Sequence, residues 1–320
     1  MDAAIRLTNV TKTFPGASGP AVDDLSVTVP EGGITVLVGP SGCGKTTSLK
    51  MINRLIEPTE GTIHVGGTEI RELEKHVLRR DIGYVIQQIG LFPHKTIEAN
   101  IGTVPRLLGW DKDRIADRVH ELVELVGLLP ELLPRYPSAL SGGQQQRVGV
   151  ARALAADPPI MLMDEPYSAV DPIVREHLQD ELLDLQRRVN KTIVLVTHDV
   201  DEAIKVGDQI VLLNVGGVLE QVGPPEELLR DPANGFVEDF LGRDRSLKRL
   251  ALLTVADAPI ETERATGNGD TPEVTVRTDT PLREALELII NGTERTAAVV
   301  DADGAVVGVV TIDGIADALA

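Results

Sequence analysis

The chain has 320 residues, 42% hydrophobic and 25% charged. That is enough to build a packed core, and it excludes intrinsic disorder. A formal net charge of -18 argues against a protein that grips nucleic acid backbone, which requires clustered Lys and Arg. A single cysteine, Cys43, permits no intramolecular disulfide and fits a reducing compartment.

The N-terminal stretch Met1-Asp-Ala-Ala-Ile-Arg6 lacks the basic and apolar regions of a signal peptide. No apolar run approaches the length needed to span a bilayer, so work at a membrane would require other subunits to do the spanning. Ile5 to Val10 and Leu25 to Val29 alternate as half-buried strands do. Ile34 to Val38 is a continuous apolar run, the pattern of a buried strand, and Ser48 to Ile56 follows as a helix. Thr62 to Val65 and Thr68 to Ile70 flank Gly66-Gly67, a hairpin signal. Asp81 to Ile86 reads as a strand ending at Gln87. The pattern then turns helical to about Val150, with Ile115, Val119, Leu122, Val123 and Val126 on one face. Ile160 to Met163 and Thr192 to Thr197 are short buried strands separated by a helix from Val174 to Arg188. Val211 to Asn214 and Val218 to Gln221 close a hairpin around Gly216-Gly217. Buried strands alternating with helices predict a mostly parallel sheet covered on both faces, with an antiparallel strand group at the start and a helical insertion.

Between the Ile34 strand and its helix lies Gly39-Pro-Ser-Gly-Cys-Gly-Lys-Thr-Thr47. Gly39, Gly44, Lys45 and Thr46 occupy the fixed positions of G-x-x-x-x-G-K-[ST], with Pro40, Ser41, Gly42 and Cys43 between and Thr47 after. Strand, glycine loop and helix together form a phosphate cradle, because bare N–H groups and the helix N-terminus face the anion. Lys45 would reach the β- and γ-phosphates of ATP, and Thr46 would coordinate Mg²⁺. Asp164-Glu165 ends a buried strand, where ligands of open parallel sheets sit. Asp164 would hold Mg²⁺ and Glu165 would orient the attacking water and accept its proton. Standing alone, the same pair would serve as a helix N-cap. Ser141-Gly-Gly-Gln144 opens a further helix and is a second anion site. One ATP does not need two cradles from one chain. The economical arrangement is a two-fold homodimer in which each ATP lies between the loop of one copy and the Ser141 turn of the other.

These motifs, with Gln87, Ser168-Ala-Val-Asp171 and His198, occur in the order seen in ATP-binding subunits of ABC transporters, which the chain resembles from about Ala4 to Leu241. The resemblance implies a P-loop NTPase fold of the ABC type: a mostly parallel sheet, an antiparallel β subdomain and a helical subdomain. It implies that Phe14 stacks on adenine, Gln87 contacts Mg²⁺ and the γ-phosphate, His198 helps orient the attacking water, and Asp171 couples the two sites of the dimer. Taken singly, Phe14 could be core and His198 a satisfied polar residue. Trp110 reads as packing in the helical insertion.

Gly83 to His94, Thr96 to Asn100 and Phe236 to Gly242 look like importers of glycine betaine, carnitine and choline. That likeness implies transmembrane permease subunits, an extracytoplasmic solute-binding protein acting through them, and a place on the cytoplasmic face of the membrane. Rival readings are an importer of another small solute, a soluble ABC ATPase, or a sensor of nucleotide or ionic strength. Composition shifts after Gly242, giving domains 1–242 and 243–320. Arg243 to Leu253 reads as a basic helical connector and Ala256 to Thr271 as a loose stretch. Strand, helix, two strands and a short helix follow, at 274–276, 282–290, 296–300, 306–311 and 315–319. Pro281 to Leu286 and Ala298 to Thr311 resemble one copy of a CBS motif, a small α+β domain that usually occurs in pairs. Its customary acidic residue would fall on Gly314, and Asp313 stands one place early. The segment is expected to regulate, with ligand-free dimerisation or packing as the alternative.

Overall fold

The computed structural model describes residues 3–87, 90–168, 170–262, 274–293 and 295–319. The first strands are β1 (Ala3–Lys12) and β2 (Val22–Pro30), which pair antiparallel with Ile5 opposite Val29 and Leu7 opposite Val27. In β2 the alternation puts Leu25, Val27 and Val29 inside and the residues between them outside. After β3 (Ile34–Val38), β4 (Glu60–Val65) and β5 (Thr68–Glu69) make the expected hairpin over Gly66-Gly67. The first sheet has the order β2-β1-β4-β5.

The second sheet takes β3, then β6 (Ile82–Val85), β7 (Ile160–Asp164), β8 (Thr192–Thr197), β9 (Gln209–Asn214) and β10 (Val218–Gly223). Its order is β10-β9-β3-β8-β7-β6. All neighbours are parallel except the β9–β10 hairpin. Every residue of β3, β7 and β8 is buried, the reason these strands read as continuous apolar runs instead of alternating ones. Both sheets and the helix Lys45–Ile52 contribute to one hydrophobic core, in which Ile5, Leu25, Leu49, Met51, Val194 and Val211 lose nearly all contact with water.

The helical stretch contains Ile97–Ile101, Thr103–Leu107, Lys112–Leu125 and Gly142–Leu154. The Asp111 carboxylate caps the third of these by accepting from Arg114 N at 2.9 Å. Ile115, Val119, Leu122 and Val123 are buried, whereas Val126 falls past the helix end and is half-buried. Trp110 is also half-buried, with the Arg114 guanidinium 3.6 Å from its ring centroid.

Backbone contacts gather into two units, Met1–Pro225 and Glu226–Ala320. This division falls upstream of the 242/243 boundary expected from composition. Side chains of the helix Arg245–Leu252 reach back to the preceding segment: Arg245 pairs with Glu238 at 2.7 Å and Arg249 with Glu226 at 3.1 Å. That helix, expected as a connector, also packs into a core. Leu250 is 3% exposed inside the core of the second unit, with Val255, Leu282, Ile289 and Val310. That unit carries β11 (Thr275–Arg277), β12 (Thr296–Val300) and β13 (Val306–Thr311), with β11–β12 parallel and β12–β13 antiparallel. Its helix Leu282–Asn291 matches expectation, and the last helix, Ile312–Asp317, starts early because Thr311 Oγ1 caps Gly314 N. Of the stretch expected to be loose, Val255–Asp257 is a 3₁₀ turn and Glu261 bridges to Val309, while 263–271 lie outside the described residues.

Candidate active site

The register of the central sheet creates the site. Val38 lies opposite Thr197, and Asp164 opposite Val196, so β3, β7 and β8 end side by side. Their exits deliver the Gly39 loop, the Asp164-Glu165 pair and His198 to one edge.

The loop can adopt its path only with glycine at its hinges. Gly39 has φ 154 and Gly44 has φ 90; a Cβ would run into the Leu213 carbonyl at the first and the Ala21 carbonyl at the second. Gly44 is also the N-cap of the helix Lys45–Ile52, with no side chain capping it, so the first N–H groups are free for an anion. Lys45 is 6% exposed. Its ammonium donates to Gly39 O at 2.7 Å, Pro40 O at 3.0 Å and the buried Cys43 Sγ at 3.5 Å. Among the described residues it has no carboxylate partner. A buried cation held by neutral acceptors, beside bare N–H groups, is a site short of an anion, and a phosphate fits it.

Thr46 Oγ1 donates to Asp164 Oδ1 at 2.7 Å. A hydroxyl and a buried carboxylate side by side are the hard oxygen donors Mg²⁺ takes alongside phosphate oxygens. Tyr84, unremarked among the sequence expectations for the site, points its hydroxyl at Asp164 Oδ2, 3.4 Å away. Burial, then the Asp164 charge, pushes the phenol well above its ordinary range, so it stays a donor. Tyr84 lies on β6, next to β7, and only the pairing of those strands reveals its role.

Glu165 sits at φ 46, an unusual conformation for a residue with a side chain. Three contacts hold it there: its N–H donates to Val196 O at 2.9 Å, and its carbonyl accepts from Ser168 Oγ at 3.0 Å and Ser168 N at 3.3 Å. Its carboxylate Oε2 accepts from Gln87 Nε2 at 2.9 Å and lies 3.4 Å from His198 Nδ1. Gln87 and His198 thus converge on one oxygen of Glu165.

The remaining expected residues stand apart within one chain. Phe14 is 38% exposed, with Lys12 Nζ 5.2 Å from its ring centroid, and keeps surface on which a base could stack. Ser141 and Gln144 form a capping box: Ser141 Oγ accepts from Gln144 N, and Gln144 Oε1 accepts from Ser141 N at 3.0 Å. Gly142 and Gly143 begin that helix. Among the described residues no hydrogen bond joins this turn to the Gly39–Thr47 loop. Asp171 Oδ1 accepts from Val174 N at 3.1 Å and caps the helix Pro172–Val189. Two further residues absent from the expectations, Arg175 and Glu202, share a small cavity with Glu165 and His198.

A family model described as ABC transporter matches residues 22–168, and one described as CBS domain matches 270–320. The chain is 51% identical to the osmoprotectant import ATP-binding protein OsmV of Salmonella typhimurium, over 96% of this chain and 78% of that one. It is 48% identical to the glycine betaine/carnitine/choline transport ATP-binding protein OpuCA of Bacillus subtilis, over 97% and 78%. It is 50% identical to the glycine betaine uptake system ATP-binding protein YehX of Escherichia coli, over 89% and 90%. Among solved structures, a bacterial ABC transporter cassette solved as a dimer, MJ0796, aligns with TM-score 0.62 and 35% identity, over 69% of this chain and 98% of that one. The glycine loop, the Thr46–Asp164 pair and Glu165 therefore sit in a fold and a family of ATP-binding proteins. The chain is an ATPase and belongs to the ATP-binding subunits of ABC transporters.

Proposed function

We propose that this chain powers import of a quaternary-amine osmoprotectant, of the glycine betaine, carnitine or choline type. Two copies work together on the cytoplasmic face of a membrane permease, which an extracytoplasmic solute-binding protein loads. The reading is carried by the reach of the likeness: relatives named for these solutes match across nearly the whole chain, the region beyond the ATPase unit included. Among the described residues no helix is long and apolar enough to cross a membrane, so the path for the solute belongs to other chains.

The residues divide the work as their contacts dictate. Lys45 gives up its carbonyl acceptors for the β- and γ-phosphates, and the loop N–H groups hold the remaining phosphate oxygens. Thr46 and Asp164 would hold Mg²⁺, which when bound neutralises charge on those oxygens. Glu165, steadied by Gln87 and His198 on the same oxygen, orients the attacking water and takes its proton. Phosphoryl transfer of this loose kind needs positioning more than covalent help. The Ser141–Gln144 turn of the second copy closes over the γ-phosphate, and Asp171 couples the two sites.

Uptake of labelled glycine betaine, choline and carnitine in cells carrying or lacking this chain tests the assignment. Import of at least one of them should require the chain and disappear with Glu165→Gln. Import of all three at the same rate without the chain overturns the solute assignment.

A further inference from the structure

The turn that precedes the helix Pro172–Val189 and the turn that carries His198 are already tied by one side chain. Arg175 Nη2 donates to Val170 O at 3.3 Å, just before Asp171, and Nη1 donates to Asp199 Oδ2 at 3.2 Å, just after His198. Asp199 in turn caps the helix Val200–Val206, accepting from Asp201 N at 2.9 Å and Glu202 N at 3.3 Å. That helix aims Glu202 inward, and the side chain ends up 5% exposed. Arg175 and Glu202 line one small cavity whose wall also includes Glu165, Ser168 and His198.

Two residues of this cavity each carry an atom that has no partner among the described residues. Arg175 Nε is a buried donor without an acceptor, and Glu202 Oε1 is a buried oxygen without a donor. Buried groups of this kind are rare and costly, and these two are complementary, a donor on one residue of the cavity wall and an acceptor on another. We propose that Arg175 and Glu202 are positioning residues for hydrolysis, joined through an Arg175 Nε to Glu202 Oε1 hydrogen bond in the hydrolysing arrangement. The bond adds a second tie between the helix after Asp171 and the helix after His198, which holds His198 in its place beside Glu165.

The charge state follows the same geometry. Unjoined, Glu202 is pushed up to about 8 by burial, then by Asp199 and, less, by Glu165; a Thr197 hydrogen bond and Arg175 oppose the rise. Tyr167 and His198 complete the titratable groups facing it. At neutral pH the unjoined carboxyl is therefore protonated. Joining the guanidinium favours its charged form, so one proton leaves Glu202 for solvent as the bond forms. The joined arrangement thus gains on the unjoined one as pH rises toward about 8 and gains no more above it.

The test is steady-state ATPase of the full chain with Glu202→Gln, Arg175→Lys and the double variant, between about pH 6 and 9. Glutamine matches the neutral carboxyl in shape, so Glu202→Gln should fold and should bind a fluorescent ATP analogue as the parent does. Each single change should lower kcat by at least about tenfold with KM for ATP within about twofold. The double variant should be no slower than the slower single, because both weaken one interaction: glutamine leaves Arg175 a neutral acceptor in place of a charged one. The parent's kcat should climb toward pH 8 and Glu202→Gln should flatten that climb. Losses that multiply in the double variant, a defect confined to KM, or an unaltered pH profile in Glu202→Gln would each overturn the pair. Should Arg175→Lys fail to fold, the kcat and pH profile of Glu202→Gln decide alone.

Discussion

Glu165 does its work on a strained backbone. Its positive φ is held by the Val196 carbonyl and the Ser168 hydroxyl, and this aims the carboxylate at Gln87 and His198. Glu165→Gln keeps that shape and removes the carboxylate proposed to accept the proton. Turnover should fall by at least about a hundredfold while binding of a nucleotide analogue is unchanged, read by phosphate release and by equilibrium binding. Tyr84 acts one step out, through Asp164. Tyr84→Phe removes the hydroxyl that orients Asp164 and should raise the Mg²⁺ concentration for half-maximal ATPase about tenfold or more, with little change at saturating metal. Glu202 gives a stability signature. Its folded carboxyl holds its proton up to about 8, against an ordinary value of 4.5, so the folded state binds more protons in that window. Stability should decline as pH rises from about 4.5 to 8 and level off above, and Glu202→Gln should remove that part of the slope in denaturant titrations.

Among the elements, the helix Arg245–Leu252 shows how far composition can mislead. Its arginines and lysine suggest a solvated linker, yet the same spacing places Leu250 in a core and leaves Leu247 61% exposed. Leu250→Ala should cost about 2–5 kcal/mol in denaturant unfolding, whereas Leu247→Ala should stay within about 0.5 kcal/mol. If both cost the same, the helix is not packed as described. The helix Gly142–Leu154 shows the opposite case. Its start was plain from Ser141, a natural N-cap, and the structure adds the Gln144 side chain that completes a capping box. Strands β3, β7 and β8 were equally plain, since burial on both faces demands uninterrupted apolar side chains.

For the whole molecule, the Gly39–Thr47 loop and the Ser141 turn are the two proposed anion sites, and among the described residues no hydrogen bond of the single chain joins them. The two-copy reading places the turn of one copy over the nucleotide of the other, an arrangement a bulky cation should block. Ser141→Arg should abolish hydrolysis by at least about a hundredfold and leave nucleotide affinity of the monomer unchanged. Light scattering with ATP and Glu165→Gln should report twice the monomer mass, falling to the monomer when Ser141→Arg is added. A monomer with both intact would remove the shared site.

The glycine loop, the Asp164-Glu165 pair, the Ser141 turn and His198 were all legible in the chain by itself. Each is a local signal: a few neighbouring residues whose backbone freedom, charge or capping chemistry permits little else. Tertiary structure alone decided which of them touch. Gln87 rests on Glu165, Tyr84 leans on Asp164, and Arg175 bonds Asp199 because parallel strands bring together segments far apart in sequence. Such contacts depend on strand order and register, and those are set by burying both faces of the whole sheet at once.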